Sequence, residues 1–180
     1  TILNTLDLGA DGIVVPHVKN AQQLENIVKQ CYYGHNGRGY AGSTRMAGYT
    51  TINMQQNLIH NTSNTAVIAQ IEDIDALDQL DAICQVKGVD CLFIGRMDLT
   101  VALGQTDPNA PKVLETVNKI VEVANKHNLA TGMFIANLDE LDHWLKQRVS
   151  LFLLGSDHSF MLAGANQLQA KFTQAKKNQQ

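Results

Sequence analysis

Two short runs in this sequence carry a carboxylate to the end of an apolar segment. "AVIAQIE", residues 66–72, closes on Glu72, and "CLFIGRMDLT", residues 91–100, passes Gly95 and presents Asp98. If each run is a buried strand, both carboxylates stand where strands give way to loops. Two carboxylates on one rim, with no histidine or cysteine between them, suit a hard cation. Mg²⁺ or Mn²⁺ commonly takes one or two protein carboxylates and keeps positions for water and substrate. Co²⁺ is accepted by the same donors. "DLTVAL" further predicts a short helix opening at Asp98, whose free backbone N–H groups would receive an anion, with Gly95 permitting close approach. The alternative is that Glu72 and Asp98 only cap the helices that follow them.

These residues need elements to position them, and the chain supplies five apolar runs: "GIVVPHV", "AVIAQIE", "CLFIGRMD", "ATGMFIA" and "LFLLGSD". Their apolar residues are continuous, which predicts parallel strands covered on both faces. Helical patterns lie between them. "NAQQLENIVKQ" has Asn20 as N-cap and an apolar stripe at Leu24, Ile27 and Val28. "PKVLETVNKIVEVANKH" repeats Val113, Val117, Ile120, Val121 and Ala124 at helical spacing. "NLDELDHWLKQR" starts at a capping Asn137, and a last helix is expected over about residues 163–175. The opening residues read as a helix. Alternating strands and helices predict an α/β protein with right-handed crossovers, either a doubly wound sheet or a (β/α) barrel. Sites in either architecture gather at strand carboxyl ends, here His17, Gln70, Glu72, Asp98, Asn137 and Asp157.

The 180 residues are 44% hydrophobic, which suits one packed domain, and the formal charge of −3 gives no general pull toward nucleic acid or anionic membranes. No apolar run approaches the roughly 20 residues of a membrane span. Cys31, Cys84 and Cys91 are odd in number and show no paired spacing, which predicts buried, reduced thiols and a cytoplasmic setting. A closed eight-stranded barrel usually needs about 250 residues. Five βα units are therefore expected to form part of one, with the N-terminal strands missing from residues 1–180.

Taken in order, "LDLGADGIVVPHV", "AQIED", "GVDCLFIGRMDLTVALG" and "LFLLGSD" resemble the class II pyruvate aldolases, of the hydroxy-oxo-heptanedioate and keto-deoxy sugar-acid type. The resemblance runs from about Leu6 to the last helix and rests chiefly on a QIE step followed by an IGxxDL step. It implies a (β/α)8 TIM barrel with about five of its eight units here, and a single domain over 1–180. The C-terminal helix and tail, about 163–180, would pack on a neighbouring subunit of a hexamer. It implies a divalent metal held by Glu72 and Asp98, Gln70 contacting the substrate, and the N–H groups of Met97 and Asp98 receiving a pyruvate carboxylate. Asp7 would raise the basicity of a catalytic histidine. The implied reaction cleaves a 4-hydroxy-2-oxo acid to pyruvate and an aldehyde. Citryl-CoA and malyl-CoA lyases share the ligand pair. In the family the histidine base and an enolate-stabilising arginine lie on strands ahead of the segment matching "GIVVP". These residues are therefore expected to hold the metal half of the site and to turn over poorly alone. That gap also motivates a second reading, a non-catalytic binding or assembly module.

The chain departs from the family pattern twice. Arg96 stands where a proline is usual and is expected to face solvent, as most arginines do. His17 stands where methionine is common and is expected to be a hydrogen-bonded strand-end residue. The glycine-rich "GHNGRGYAGSTR", residues 34–45, lacks the ending of a phosphate-binding P-loop. It is expected to be a loop following the first strand, with Arg38 and Arg45 holding loop carbonyls. Trp144 is expected to pack in the core.

Overall fold

The computed structural model describes residues 1–178. In chain order it contains α1 (Ile2–Asp7), β1 (Gly12–Val15), α2 (Ala21–Cys31), α3 (Met54–Asn64), β2 (Ala66–Ile71), α4 (Ile74–Leu77) and α5 (Leu80–Cys84). These are followed by β3 (Cys91–Ile94), α6 (Arg96–Ala102), α7 (Pro111–Lys126), β4 (Ala130–Phe134), α8 (Leu141–Lys146), β5 (Leu151–Leu153) and α9 (Asp157–Lys177). Every expected strand is present. All four pairings are parallel and the strands lie in sequence order, β1 to β5. A doubly wound sheet would reverse its order at a switch point. This sheet does not, so it has the winding of a barrel.

The helices α1, α2, α5, α6 and α7 form one layer outside the sheet. Leu24 and Ile27 of α2, and Val113, Val117, Ile120 and Ala124 of α7, meet Val67, Ala69, Ile71, Leu92, Ile94 and Met133 beneath them. Each such buried aliphatic side chain contributes about 1.5–3 kcal/mol. Only β3 is buried along its whole length. On the face away from the helices Val14 and Phe134 remain 49% and 42% exposed. The expectation of cover on both faces therefore holds for the helical side alone. That second face is the one that lines the interior of a closed barrel.

Caps set several boundaries. The Asn20 side chain accepts from Gln23 N–H at 2.9 Å at the start of α2. Asn137 caps a short 3₁₀ turn ahead of α8, accepting from Asp139 N–H at 3.0 Å. The last helix begins at Asp157, earlier than expected, because Ser156 and Ser159 form a reciprocal capping box. It extends past Ala175 to Lys177, and residues 179 and 180 of the expected C-terminal segment lie outside the described residues. The 34–45 segment follows α2, not the first strand, so it lies at the amino ends of the strands. Among the described residues no helix is long and apolar enough to cross a membrane.

Candidate active site

The carboxyl ends of β1, β2 and β3 converge on Glu72. Its side chain is 2% exposed. Oε1 accepts the backbone N–H of His17 at 2.9 Å, and Oε2 accepts the amide of Gln70. His17 Nδ1 lies 3.2 Å from Oε1 and 3.1 Å from Asp73 Oδ2. Among the described residues no lysine or arginine pairs with Glu72. A buried carboxylate held only by neutral amides and one imidazole keeps a large desolvation cost, which a cation relieves.

His17 reaches Glu72 through an unusual backbone. Its φ of 57° is left-handed, a conformation that costs a non-glycine residue about 1–2 kcal/mol. Gln23, on the first turn of α2, holds that bend by donating to His17 O at 3.1 Å and accepting from Lys19 N–H at 2.9 Å. Nothing in the sequence pattern singled out Gln23. Its role depends on a bend that the apolar run of β1 does not announce.

Gly95 joins the second carboxylate to the first. A Cβ built on it would fall 2.6 Å from Glu72 Oε2 and 2.7 Å from Glu72 Cβ. The requirement for glycine here is close approach to Glu72. Gly95 is also the N-cap of α6, so the helix starts at Arg96, two residues before the expected opening at Asp98. Asp98 is consequently the third residue of the first turn, not its cap. Its side chain is exposed, and among the described residues it makes no hydrogen bond or ion pair. The N–H groups of Met97 and Asp98 belong to the first turn, which has no intrahelical acceptors.

Beside Asp98 lies a cavity of about 380 Å³ that includes Gln70, Phe93, Gly95, Met97 and Phe134 in its wall. Arg96 forms part of the same wall and is 8% exposed, which overturns the expectation that it faces solvent. Its Nε donates to Pro108 O at 2.9 Å, Nη1 to Glu140 Oε2 at 2.5 Å, and Nη2 to Asn109 Oδ1. The indole N–H of Trp144, itself buried, donates to the same Glu140 oxygen at 3.2 Å.

Of the expected site residues, Asp7 is not brought to this rim. Asp7 ends α1, ahead of β1, and so lies toward the amino ends of the strands. There it pairs with Arg38, whose side chain is fully buried and stacks 4.5 Å from the Tyr33 ring centre. Arg38 thus holds a carboxylate instead of loop carbonyls. Asp157 is exposed and accepts from His158 N–H at 2.8 Å, while the cap of α9 is Ser156. Among the described residues there is no cluster of three or more His, Cys, Asp or Glu side chains able to hold a metal. Glu72 and Asp98 make a two-carboxylate set, which fits a hard cation that shares its coordination with water and substrate. Burial pushes the thiols of Cys31, Cys84 and Cys91 up to about 11, and all three are unpaired.

The winding of the sheet defines an α/β protein of barrel type that carries two carboxylates, Glu72 and Asp98, at the strand carboxyl ends. Residues 1–163 match the model of the HpcH/HpaI aldolase/citrate lyase family, and the chain belongs to that family. It is 30% identical over 174 residues to a 4-hydroxy-2-oxo-heptane-1,7-dioate aldolase of Klebsiella pneumoniae, covering 96% of this chain. To a hydroxypyruvate/pyruvate aldolase of Pseudomonas aeruginosa it is 28% identical over 172 residues, covering 95%. The chain spans 65% and 64% of the lengths of these two curated relatives. Among solved structures, a family protein of Burkholderia cenocepacia J2315 superposes with a TM-score of 0.87 at 24% identity, over 96% of this chain and 68% of that one. The citrate synthase SbnG superposes with a TM-score of 0.84 at 29% identity, over 98% and 68%.

Proposed function

We propose that this chain carries the metal- and oxo-acid-binding part of a class II pyruvate aldolase, a carbon–carbon lyase acting on a 4-hydroxy-2-oxo acid to yield pyruvate and an aldehyde. The observation that carries the reading is Glu72, a buried carboxylate with no lysine or arginine partner among the described residues, set against Gly95 and the helix turn that bears Asp98. Family membership and the aldolase names of the relatives above support it.

Glu72 and Asp98 would hold the divalent ion, with Mg²⁺ and Mn²⁺ the best-suited and Co²⁺ acceptable. When bound, such an ion supplies Lewis acidity that spreads the negative charge of an enolate. The chain's own groups do the rest. The Gln70 amide orients the oxo acid while restraining Glu72. The N–H groups of Met97 and Asp98 receive its carboxylate, and the apolar cavity wall keeps water from the reacting carbons. Asp7 is assigned the support of a histidine base, which would have to meet it at the opposite end of the sheet and compete with Arg38.

The partners are small molecules, with a homo-oligomer as the assembly. The exposed Phe160, Met161, Leu168 and Phe172 of α9 support its packing on a neighbouring subunit. Three unpaired buried thiols support a cytoplasmic setting.

The test is Mn²⁺ binding followed by water-proton relaxation, with and without pyruvate. Pyruvate should tighten Mn²⁺ binding and change the relaxation enhancement, and Glu72→Gln or Asp98→Asn should each abolish the effect. Mn²⁺ binding that ignores pyruvate, or that survives both substitutions, would overturn the proposal.

A further inference from the structure

The cavity beside Asp98 carries information about what lies beyond the oxo-acid group. It shares Gln70, Gly95 and Asp98 with the proposed metal and pyruvate site, so the remainder of a longer oxo acid has this space to enter. Phe93, Met97, Pro108 and Phe134 give it an apolar wall. Among the described residues, its charged lining groups are Arg96, Asp98 and Glu140.

Apart from Asp98, each polar side chain of the lining already has a partner. The Gln70 amide nitrogen donates to Glu72, leaving its oxygen toward the oxo-acid end. Asn137 uses both its oxygen and its nitrogen on Asp139, at 3.0 and 3.1 Å. Asn109 Oδ1 accepts from Arg96. All three nitrogens of the Arg96 guanidinium have partners, and the Glu140 carboxylate 2.5 Å from Nη1 neutralises its charge. An arginine at a pocket wall is the natural receptor for a second carboxylate, because its planar fork matches that group. Here Pro108 O, Glu140 and Asn109 each take one nitrogen of that fork, so an incoming tail carboxylate would face Glu140 with no unpaired cation to meet it. An uncharged tail loses nothing to this pair and gains burial against Phe93 and Phe134.

We propose that the Arg96–Glu140 ion pair sets the specificity of the site by silencing Arg96, so that the cavity takes oxo acids with an uncharged, apolar tail, and hence an uncharged aldehyde partner. This rests on the reading of Glu72 and Asp98 as the metal and oxo-acid site. Glu140 acts here through Arg96 and is a positioning residue, not a catalytic one.

Three ligands test it on the full chain with Mn²⁺, by calorimetry or relaxation: pyruvate, 2-oxohexanoate and 2-oxoadipate. The last two have equal chain length and differ in a terminal methyl or carboxylate. The wild-type chain should prefer 2-oxohexanoate by about tenfold, the scale of one unpaired charged group. Glu140→Gln keeps an acceptor for Arg96 and Trp144 but removes the charge. It should shrink or reverse that preference while pyruvate affinity holds. Normal pyruvate binding with equal or tighter binding of 2-oxoadipate by the wild-type chain would overturn the inference alone. So would a Glu140→Gln variant that weakens all three ligands equally, since Glu140 would then be only structural. Absence of metal-dependent binding by pyruvate itself would overturn the site reading, and the specificity inference with it.

Discussion

Gly95 and Glu72 approach so closely that a single methyl group cannot be placed between them: a Cβ on Gly95 would lie 2.6 Å from Glu72 Oε2. The backbone at Gly95 has no left-handed requirement, its φ being −78°. Its glycine is therefore demanded by the neighbouring carboxylate, and the two proposed metal ligands are coupled through it.

Gly95→Ala should push Glu72 and the first turn of α6 apart. Overpacking of this kind costs about 1–3 kcal/mol of stability. Mn²⁺ affinity should fall by roughly tenfold or more, since a metal site fails when its donors shift by about an ångström. A Mn²⁺ titration set beside a urea denaturation curve separates the two effects. Unchanged affinity in a folded variant would show that Glu72 and Asp98 do not act together.

Arg96→Pro tests the buried guanidinium from the other direction. Arg96 is the first residue of α6, a position where proline fits the backbone. The expected loss is therefore that of the side chain, about 2–4 kcal/mol for removing one partner of a largely buried charge network. The midpoint of urea unfolding should fall accordingly while pyruvate-linked Mn²⁺ binding persists.

At the other end of the sheet, Asp7→Asn should be among the most damaging single changes in the chain. It leaves the Arg38 guanidinium, whose side chain is fully buried, without its carboxylate. Breaking one side of a buried pair costs about 3–5 kcal/mol. Arg38 Nε and Nη1 already lack partners among the described residues, so no other acceptor stands ready. Equilibrium unfolding measures the loss, and a change under 1 kcal/mol would mean that Arg38 finds water.

The three thiols give the pH dependence a sign. Burial raises Cys31, Cys84 and Cys91 from 9.0 to about 11 in the folded chain. Below about pH 9 they are protonated in both folded and unfolded states and cost nothing. Between 9 and 11 the unfolded chain releases these protons first, so stability falls as pH rises. Each thiol removes up to about 2–3 kcal/mol by the top of that window. Denaturation midpoints from pH 8 to 10.5 should show the decline. A disulfide-exchange reagent at pH 8 should label the native chain far more slowly than the urea-unfolded one.

Much of this fold was legible because its signals are local. Five continuous apolar runs became five strands, and the stripe from Val113 to Ala124 became the buried face of α7. The α3 helix was not legible, because its buried face consists of Asn57 and Asn61. Asn61 donates to Cys31 O at 3.1 Å and to Thr65 Oγ1 at 3.0 Å, so its burial is satisfied by polar partners that no hydrophobic period reveals. Within the site, Glu72, Gln70 and Asp98 could be placed on one rim from their positions at strand ends. The bend at His17, the brace from Gln23 and the start of α6 at Arg96, capped by Gly95, could not.

The amino-acid sequence alone determined the parallel α/β class, the end of the sheet where chemistry would gather, and the two carboxylates standing there. Those properties follow from patterns a few residues long, set by strand pairing and the direction of crossover connections. Only the tertiary structure decided that Arg96 is buried and neutralised, since its partners lie at Pro108, Asn109 and Glu140, up to 44 residues away. Only the tertiary structure separated Asp7 and the 34–45 segment from the Glu72 rim. The physical reason is the same for both: a charged side chain settles where folding brings it an opposite charge, and that partner's distance along the chain leaves no local trace.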